Sequence, residues 1–177
     1  VKKVSITGST RVGKIILKQA ADKVQRVTME LSGHEPFIVF DDAKNEKVTD
    51  IAMACKYRNN GQVCLSPSRF YIHESKKEEF VKSFVEKTKK LKIGNGLEKG
   101  VQLGPLTTKK RLEEVEQLVE ETKKEGAKVL CGGQRPAGYL PLYTGCRFSM
   151  KERIATNSSK TSPFGTPILH LWWLGCA

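Results

Sequence analysis

Val1-Lys2-Lys3-Val4-Ser5-Ile6-Thr7-Gly8-Ser9-Thr10-Arg11-Val12-Gly13-Lys14-Ile15-Ile16-Leu17-Lys18-Gln19-Ala20-Ala21 opens the chain. The first seven residues alternate and are rich in β-branched side chains, which predicts a strand. Gly8 to Gly13 then predicts a glycine-containing turn, and Lys14 to Ala21 a helix. Strand, turn and helix in that order make a corner whose backbone N–H groups can face a phosphate. A Gly-x-x-x-x-Gly spacing by itself also describes a plain tight turn, so both readings stand at this point.

Further elements follow outward from this corner. Arg26-Val27-Thr28-Met29-Glu30-Leu31 predicts a second strand, closed by Ser32-Gly33, and Pro36 to Phe40 predicts a third, ending at Asp41-Asp42. Val48 to about residue 59 predicts a helix, Asn60-Gly61-Gln62 a turn, and Arg69 to His73 another strand. Residues 76–91 predict a basic amphipathic helix with Phe80, Phe84 and Leu91 on one face. Residues 108–125 predict a charged helix with Leu112, Val115, Leu118 and Val119 turned inward. A short strand ends near Leu130. Strands alternating with helices argue an α/β fold. The apolar end, Leu169 to Ala177, reads as a tail without a helix or strand partner and is expected to be poorly ordered or exposed.

The chain has 177 residues, 38% of them hydrophobic, enough for one comfortable core. Lys and Arg number 31 against 19 Asp and Glu, a net charge of +12, so nucleic acid and anionic ligands are the first partners to test. Most of the lysines alternate with glutamates along helices, as in Lys76-Lys77-Glu78-Glu79 and Glu120-Glu121-Thr122-Lys123-Lys124. Such spacing supports solvated helices through pairs three and four residues apart. Basic residues do not alternate with aromatics, so the pattern favours a solvated surface over a nucleic-acid interface. No apolar run reaches the roughly 18 residues of a spanning helix, so no membrane partner is expected. From Cys131 onward one acid, Glu152, stands against five basic residues, leaving +8 for the first 130 residues.

Cys55, Cys64, Cys131, Cys146 and Cys176 are widely spaced, with no Cys-x-x-Cys. That argues against a disulfide framework or zinc site and for a reducing, cytoplasmic setting. Two residues carry potential chemistry. Glu30 closes an apolar strand, where a carboxylate is either a surface group or, if buried, a candidate general base. Cys64 follows Asn60-Gly61-Gln62-Val63. There it is either a small buried hydrophobe or a thiol presented at a turn, with neighbouring N–H groups able to stabilise an oxyanion.

Taken together, Gly8-Ser9-Thr10-x-Val12-Gly13, Glu30-Leu31-Ser32-Gly33 and Arg58-Asn59-Asn60-Gly61-Gln62-Val63-Cys64 resemble the aldehyde dehydrogenase superfamily. The resemblance runs from Val1 to about Gly133. It includes Pro36-Phe37-Ile38-Val39-Phe40-Asp41, Lys92-Ile93-Gly94-Asn95-Gly96, Gly104-Pro105-Leu106 and Gly126-Ala127-Lys128-Val129. The phrase around Glu30, the Ala52-Met53-Ala54 run and Lys56-Tyr57-Arg58-Asn59 are most similar to the succinate-semialdehyde dehydrogenase branch. The resemblance implies NAD or NADP as cofactor and a semialdehyde, such as succinate semialdehyde, as substrate. Cys64 matches the nucleophile that forms a thiohemiacetal and then, after hydride transfer, a thioester. Glu30 matches the general base for thioester hydrolysis. Gly8, Ser9 and Gly13 match the turn near the cofactor pyrophosphate, and Leu31 the backbone near the nicotinamide carboxamide. Arg58 matches the arginine that pairs with the substrate's distal carboxylate; a buried structural arginine is the other reading of that position. The backbone N–H of Cys64 would supply half of an oxyanion hole.

The resemblance also implies a division of the chain. Residues 1–30 correspond to the end of a Rossmann-like cofactor domain, 31–139 to most of an α/β catalytic domain, and 140–177 to a divergent, poorly ordered tail. Ser32 replaces the first glycine of the family's Glu-Leu-Gly-Gly, and Ser66 stands where some relatives place a second cysteine. Ser162-Pro163-Phe164-Gly165-Thr166-Pro167 is the nearest match to the family's Glu-x-Phe-Gly-Pro, with Ser162 in place of the ribose-binding Glu. The first residue is not Met, and the family's second oxyanion donor, an Asn, has no counterpart after Val1. These departures lead us to expect a fragment that is inactive by itself, with only a structural or oligomerisation role, from a parent that forms a homo-oligomer.

Overall fold

Val4 and Ile6 alternate with Ser5 and Thr7, and this period of two makes β1 (Lys3–Gly8) a strand with one apolar face. The computed structural model describes residues 1–134, together with the backbone of 148–153 and 168–172. Helix α1 (Thr10–Ala21) follows, then β2 (Arg26–Leu31), which pairs parallel with β1 in the register Thr7 opposite Glu30 and Gly8 opposite Leu31. α1 packs on both strands. Val4, Ile6, Val27, Met29 and Leu31 are half-buried, while Ser5, Thr7, Thr28 and Glu30 on the alternate positions are exposed.

α1 starts four residues earlier than the sequence predicted. Ser9 in extended conformation caps it, its Oγ accepting from the Val12 N–H at 3.3 Å. A serine cap satisfies one of the donors that a helix start leaves open, so the helix begins beside Gly8 and absorbs Gly13. Gly13 therefore lies within the helix and not in a turn, and its N–H donates to the Ser9 carbonyl at 2.9 Å.

A second strand–helix–strand unit follows. β3 (Glu35–Val39) leads to α2 (Asn45–Tyr57), a short 3-10 turn (Arg58–Gly61), and β4 (Pro67–Ile72), which pairs parallel with β3. α3 (Glu74–Lys89) and α4 (Lys109–Lys124) come next, then β5 (Lys128–Cys131). The main core joins Val39, Ala52, Tyr57, Phe70, Ile72, Phe80, Phe84 and Leu103. Phe70 meets Phe84 edge-on with centroids 5.9 Å apart, and Phe80 stacks on Phe84 at 5.7 Å, both favoured aromatic spacings. A smaller cluster of Leu106, Leu112 and Val115 seats α4.

α3 and α4 carry most of the inward faces the sequence predicted, with Phe80, Phe84, Leu112, Val115 and Val119 buried; Leu118 is only half-buried, and Leu91, expected on α3, lies beyond its end and is half-buried. The charge pattern also behaves as read. Arg111–Glu114 and Lys123–Glu120 pair across three residues at 2.9 and 2.7 Å, and Lys109–Glu113 across four at 3.9 Å.

The tail needs correction. β6 (Phe148–Arg153) pairs antiparallel with β5, and β7 (Ile168–Trp172) antiparallel with β6. Ile168 and Trp172 at the two ends of β7 are β-prone residues, and the partner strand lies some twenty residues upstream, beyond the reach of local pattern reading. The rest of the expected tail, including Ser162 to Pro167, lies outside the described residues.

Candidate active site

The three motifs sit at the ends of neighbouring elements. Gly8 ends β1, Ser9 caps α1, and Glu30 and Leu31 end β2 directly opposite Thr7 and Gly8. Just beyond β2, Ser32 Oγ lies 3.2 Å from Thr10 Oγ1, tying the glutamate motif to the start of α1. Gly13 serves this approach sterically: a Cβ there would lie 2.8 Å from Leu31 Cδ2, too close without movement.

Cys64 stands at the second position of a β-turn, Val63 to Ser66, closed by the Ser66 N–H on the Val63 carbonyl at 2.9 Å. The thiol is half-buried. Its backbone N–H makes no hydrogen bond among the described residues, so that donor is available to an oxyanion. The approach to this turn has unusual backbone. Arg58, with ψ at 126°, ends α2, and Asn59, Asn60 and Gly61 then all adopt positive φ, at 48°, 57° and 73°, which redirects the chain. Asn and Gly tolerate this region best. Asn60 is also anchored: its Nδ2 donates to the carbonyls of Gly104 and Pro105, each at 2.9 Å, and its Oδ1 accepts from the Gly104 N–H at 3.1 Å.

Asn60 went unrecognised in the sequence beyond its place in a turn. The Asn-Asn-Gly run was the available signal for the backbone, but its partners lie 44 and 45 residues away. Two further residues give no sign in the sequence of the contacts they make. Lys56, on the last turn of α2, is 1% exposed, its Nζ donating to the Pro67 carbonyl at 2.5 Å. Ser66 Oγ donates to the Lys56 carbonyl at 3.2 Å.

A cleft of about 850 Å³ collects residues next to all three motifs: Ser9, Thr10 and Arg11, then Ser32, then Gln62. Thr107, Lys110, Arg111 and Glu114 of α4 and its approach form another wall, and Thr107 Oγ1 bonds Gln62 Oε1 at 3.2 Å. Its size falls within the roughly 300–1,000 Å³ of small-molecule sites. Serine and threonine hydroxyls with Arg11 and Lys110 supply donors for an anionic group, while Arg111 is paired with Glu114 and Glu121 adds a carboxylate to the same cleft. Glu30, Leu31, Arg58 and Cys64 are not among its lining residues.

Glu30 is exposed, because the face of β1 and β2 that carries it has no covering layer among the described residues. Arg58 is likewise exposed among the described residues, at the junction of α2 and the 3-10 turn. Of the other thiols, Cys55 is exposed and Cys131 half-buried. Burial pushes the Cys131 thiol up, with Lys89 opposing in part, which disfavours it as a nucleophile. Among the described residues, no three His, Cys, Asp or Glu side chains gather as metal ligands, and no helix is long and apolar enough to cross a membrane.

Comparison with known proteins supplies the remaining link. A profile of the aldehyde dehydrogenase family matches residues 1–143. The chain is 43% identical over 143 residues to succinate-semialdehyde dehydrogenase [NADP(+)] 1 of Schizosaccharomyces pombe, covering 81% of this chain and 29% of that one. It is 47% identical over 136 residues to human mitochondrial succinate-semialdehyde dehydrogenase, covering 76% and 25%. Its fold superposes on an NAD+ complex of aldehyde dehydrogenase from Bacillus cereus with a TM-score of 0.78 at 38% identity, over 82% of this chain and 29% of that one. The chain thus spans between a quarter and three tenths of the length of these relatives. The matched region contains the glycine corner, the glutamate strand and the cysteine turn, and the chain belongs to the aldehyde dehydrogenase family.

Proposed function

We propose that this chain carries the catalytic segment of an NAD- or NADP-dependent aldehyde dehydrogenase acting on a semialdehyde, succinate semialdehyde being the first candidate. The observation that carries this reading is the Cys64 turn, which presents a half-buried thiol beside a backbone N–H that makes no hydrogen bond among the described residues. Relatives named for succinate semialdehyde support the substrate, and those named for or bound to NADP and NAD support the cofactor.

In this reading the Cys64 sulfur attacks the aldehyde carbon, and the Cys64 N–H donates to the oxygen as it gains charge. A bound nicotinamide would supply the hydride acceptor. Ser9, Thr10 and Ser32 in the cleft would hold the phosphate-bearing part of the cofactor, and Gly8, Gly13 and Leu31 would shape the backbone beside them. Glu30 accepts a proton from the water that hydrolyses the Cys64 thioester. Arg58, exposed one residue beyond α2, meets the distal carboxylate through its guanidinium fork. The separation of β1–β2 and β3–β4 into two sheets, with β2 ending at Leu31, supports assigning residues 1–30 to a cofactor domain and 31–139 to a catalytic domain. Solvated ion pairs on α4 support a surface that takes no nucleic acid. Free thiols fit a cytoplasmic setting, and a homo-oligomer belongs to the same proposal.

The test is a chimera in which the matched residues of this chain replace their counterparts in the fission-yeast enzyme. Reduction of NADP+ or NAD+ by succinate semialdehyde is followed by absorbance. We expect activity in the chimera, its loss to background in Cys64→Ala, and accumulation of a Cys64 acyl adduct, seen by mass spectrometry, in Glu30→Gln. A folded chimera whose Cys64→Ala form retains its rate would overturn the nucleophile. Unchanged KM for succinate semialdehyde in Arg58→Ala would remove the carboxylate contact.

A further inference from the structure

We infer that Lys56 is a positioning residue for Cys64, and that with Ser66 it clamps the nucleophile's turn to α2. This rests on the reading of Cys64 as nucleophile and adds what holds it in place. Lys56 is among the largest fully buried side chains, at 1% exposure. An amine taken out of water is costly unless it is hydrogen-bonded, and an aliphatic residue would fill the same space without that cost. The bonds it makes explain its presence. Its Nζ donates to the carbonyl of Pro67, the first residue of β4, at 2.5 Å, while its own carbonyl accepts from Ser66 Oγ at 3.2 Å. Two hydrogen bonds of opposite sense therefore join one residue of α2 to the two consecutive residues that follow the Cys64-Leu65 pair. Ser66 and Pro67 are both buried, and the Ser66 N–H closes the turn on Val63.

The clamp has a definite chemical consequence. The Asn59–Gly61 run fixes where the chain enters the turn, and Lys56 with Ser66 fixes where it leaves. Between them the Cys64 N–H is held in one direction. An oxyanion donor works only when aimed at the charge as it develops, so releasing the exit should cost acyl chemistry more than it costs simple thiol chemistry. Two reagents separate these. With 4-nitrophenyl acetate, Cys64 sulfur bonds to the acetyl carbon, the ester C–O bond breaks, 4-nitrophenolate leaves with its electron pair, and the thiol proton passes to solvent. That reaction passes through a tetrahedral oxyanion. With iodoacetamide the sulfur displaces iodide from a CH2 carbon, and no oxyanion forms.

The experiment measures both second-order rates at Cys64 of the 177-residue chain, located by mass spectrometry, with Cys55 as the internal control. Lys56→Met keeps the volume and removes the donor; Ser66→Ala removes the opposite bond and serves if Lys56→Met fails to fold. We expect either variant to lower the ratio of acylation to alkylation at Cys64 by roughly tenfold or more, a fraction of the loss on deleting an oxyanion donor outright, and to leave the ratio at Cys55 unchanged. A merely structural lysine would lower both rates together or neither, and an unchanged ratio in the folded variants overturns the inference while leaving the nucleophile standing. Acylation that persists undiminished in Cys64→Ala removes the nucleophile, and the inference with it.

Discussion

Gly13 shows how one missing methyl group connects two motifs. Its Cα lies against Leu31, the residue after Glu30, and a Cβ would meet Leu31 Cδ2 at 2.8 Å. Alanine there gains about 1 kcal/mol of helix propensity over glycine, and the group it strikes is the movable end of a leucine. We therefore expect Gly13→Ala to be close to neutral in urea unfolding. Gly13→Val adds branched bulk that Leu31 cannot clear, and we expect a loss of about 1–3 kcal/mol, typical of overpacking. Residue identities in the motifs were legible because glutamate and cysteine signal chemistry. Lys56 was not, since a lysine on a helix reads as solvated surface, and only the fold reveals that this one is enclosed.

At the scale of elements, β2 occupies the residues its alternation predicted, because a period of two needs no knowledge of the partner strand. The start of α1 was misread because Thr10-Arg11-Val12 shows no apolar period, and the Ser9 cap decides the start. The 3-10 turn goes further, since its shape depends on Gly104 and Pro105, far along the chain. Asn60→Gly keeps the left-handed backbone and removes three hydrogen bonds, whereas Asn60→Ala removes the bonds and adds backbone strain. With each net bond contributing about 0.5–1.5 kcal/mol, we expect Asn60→Gly to cost about 2–3 kcal/mol. Asn60→Ala should cost roughly 1 kcal/mol more. Chemical denaturation of the two variants side by side checks both the sum and the difference.

For the whole molecule, the aromatic cluster is the centre of cohesion. Phe84 touches Tyr57, Phe70 and Phe80 and is 1% exposed. Phe84→Ala should cost about 3–5 kcal/mol, a large share of the roughly 5–15 kcal/mol that holds a domain together. Leu97→Ala, at a side chain 94% exposed, should stay within about 0.5 kcal/mol by the same urea titration. The α/β order of elements could be read from the chain; the tail strands could not, since a strand is recognised by its neighbour as much as by its residues. The register of β1 against β2 has one more consequence. Side chains in a strand change face at every step, so Thr7 and Glu30 share a face only because the number of residues between them has the right parity. A single insertion in the Asp22–Gln25 connection that slipped β2 by one place would bring Met29 or Leu31 to that face and send the carboxylate to the helix side. Partial burial of Val27, Met29 and Leu31 on the helix side opposes that slip, so a longer connection is expected to bulge within the loop and leave Glu30 beside Thr7.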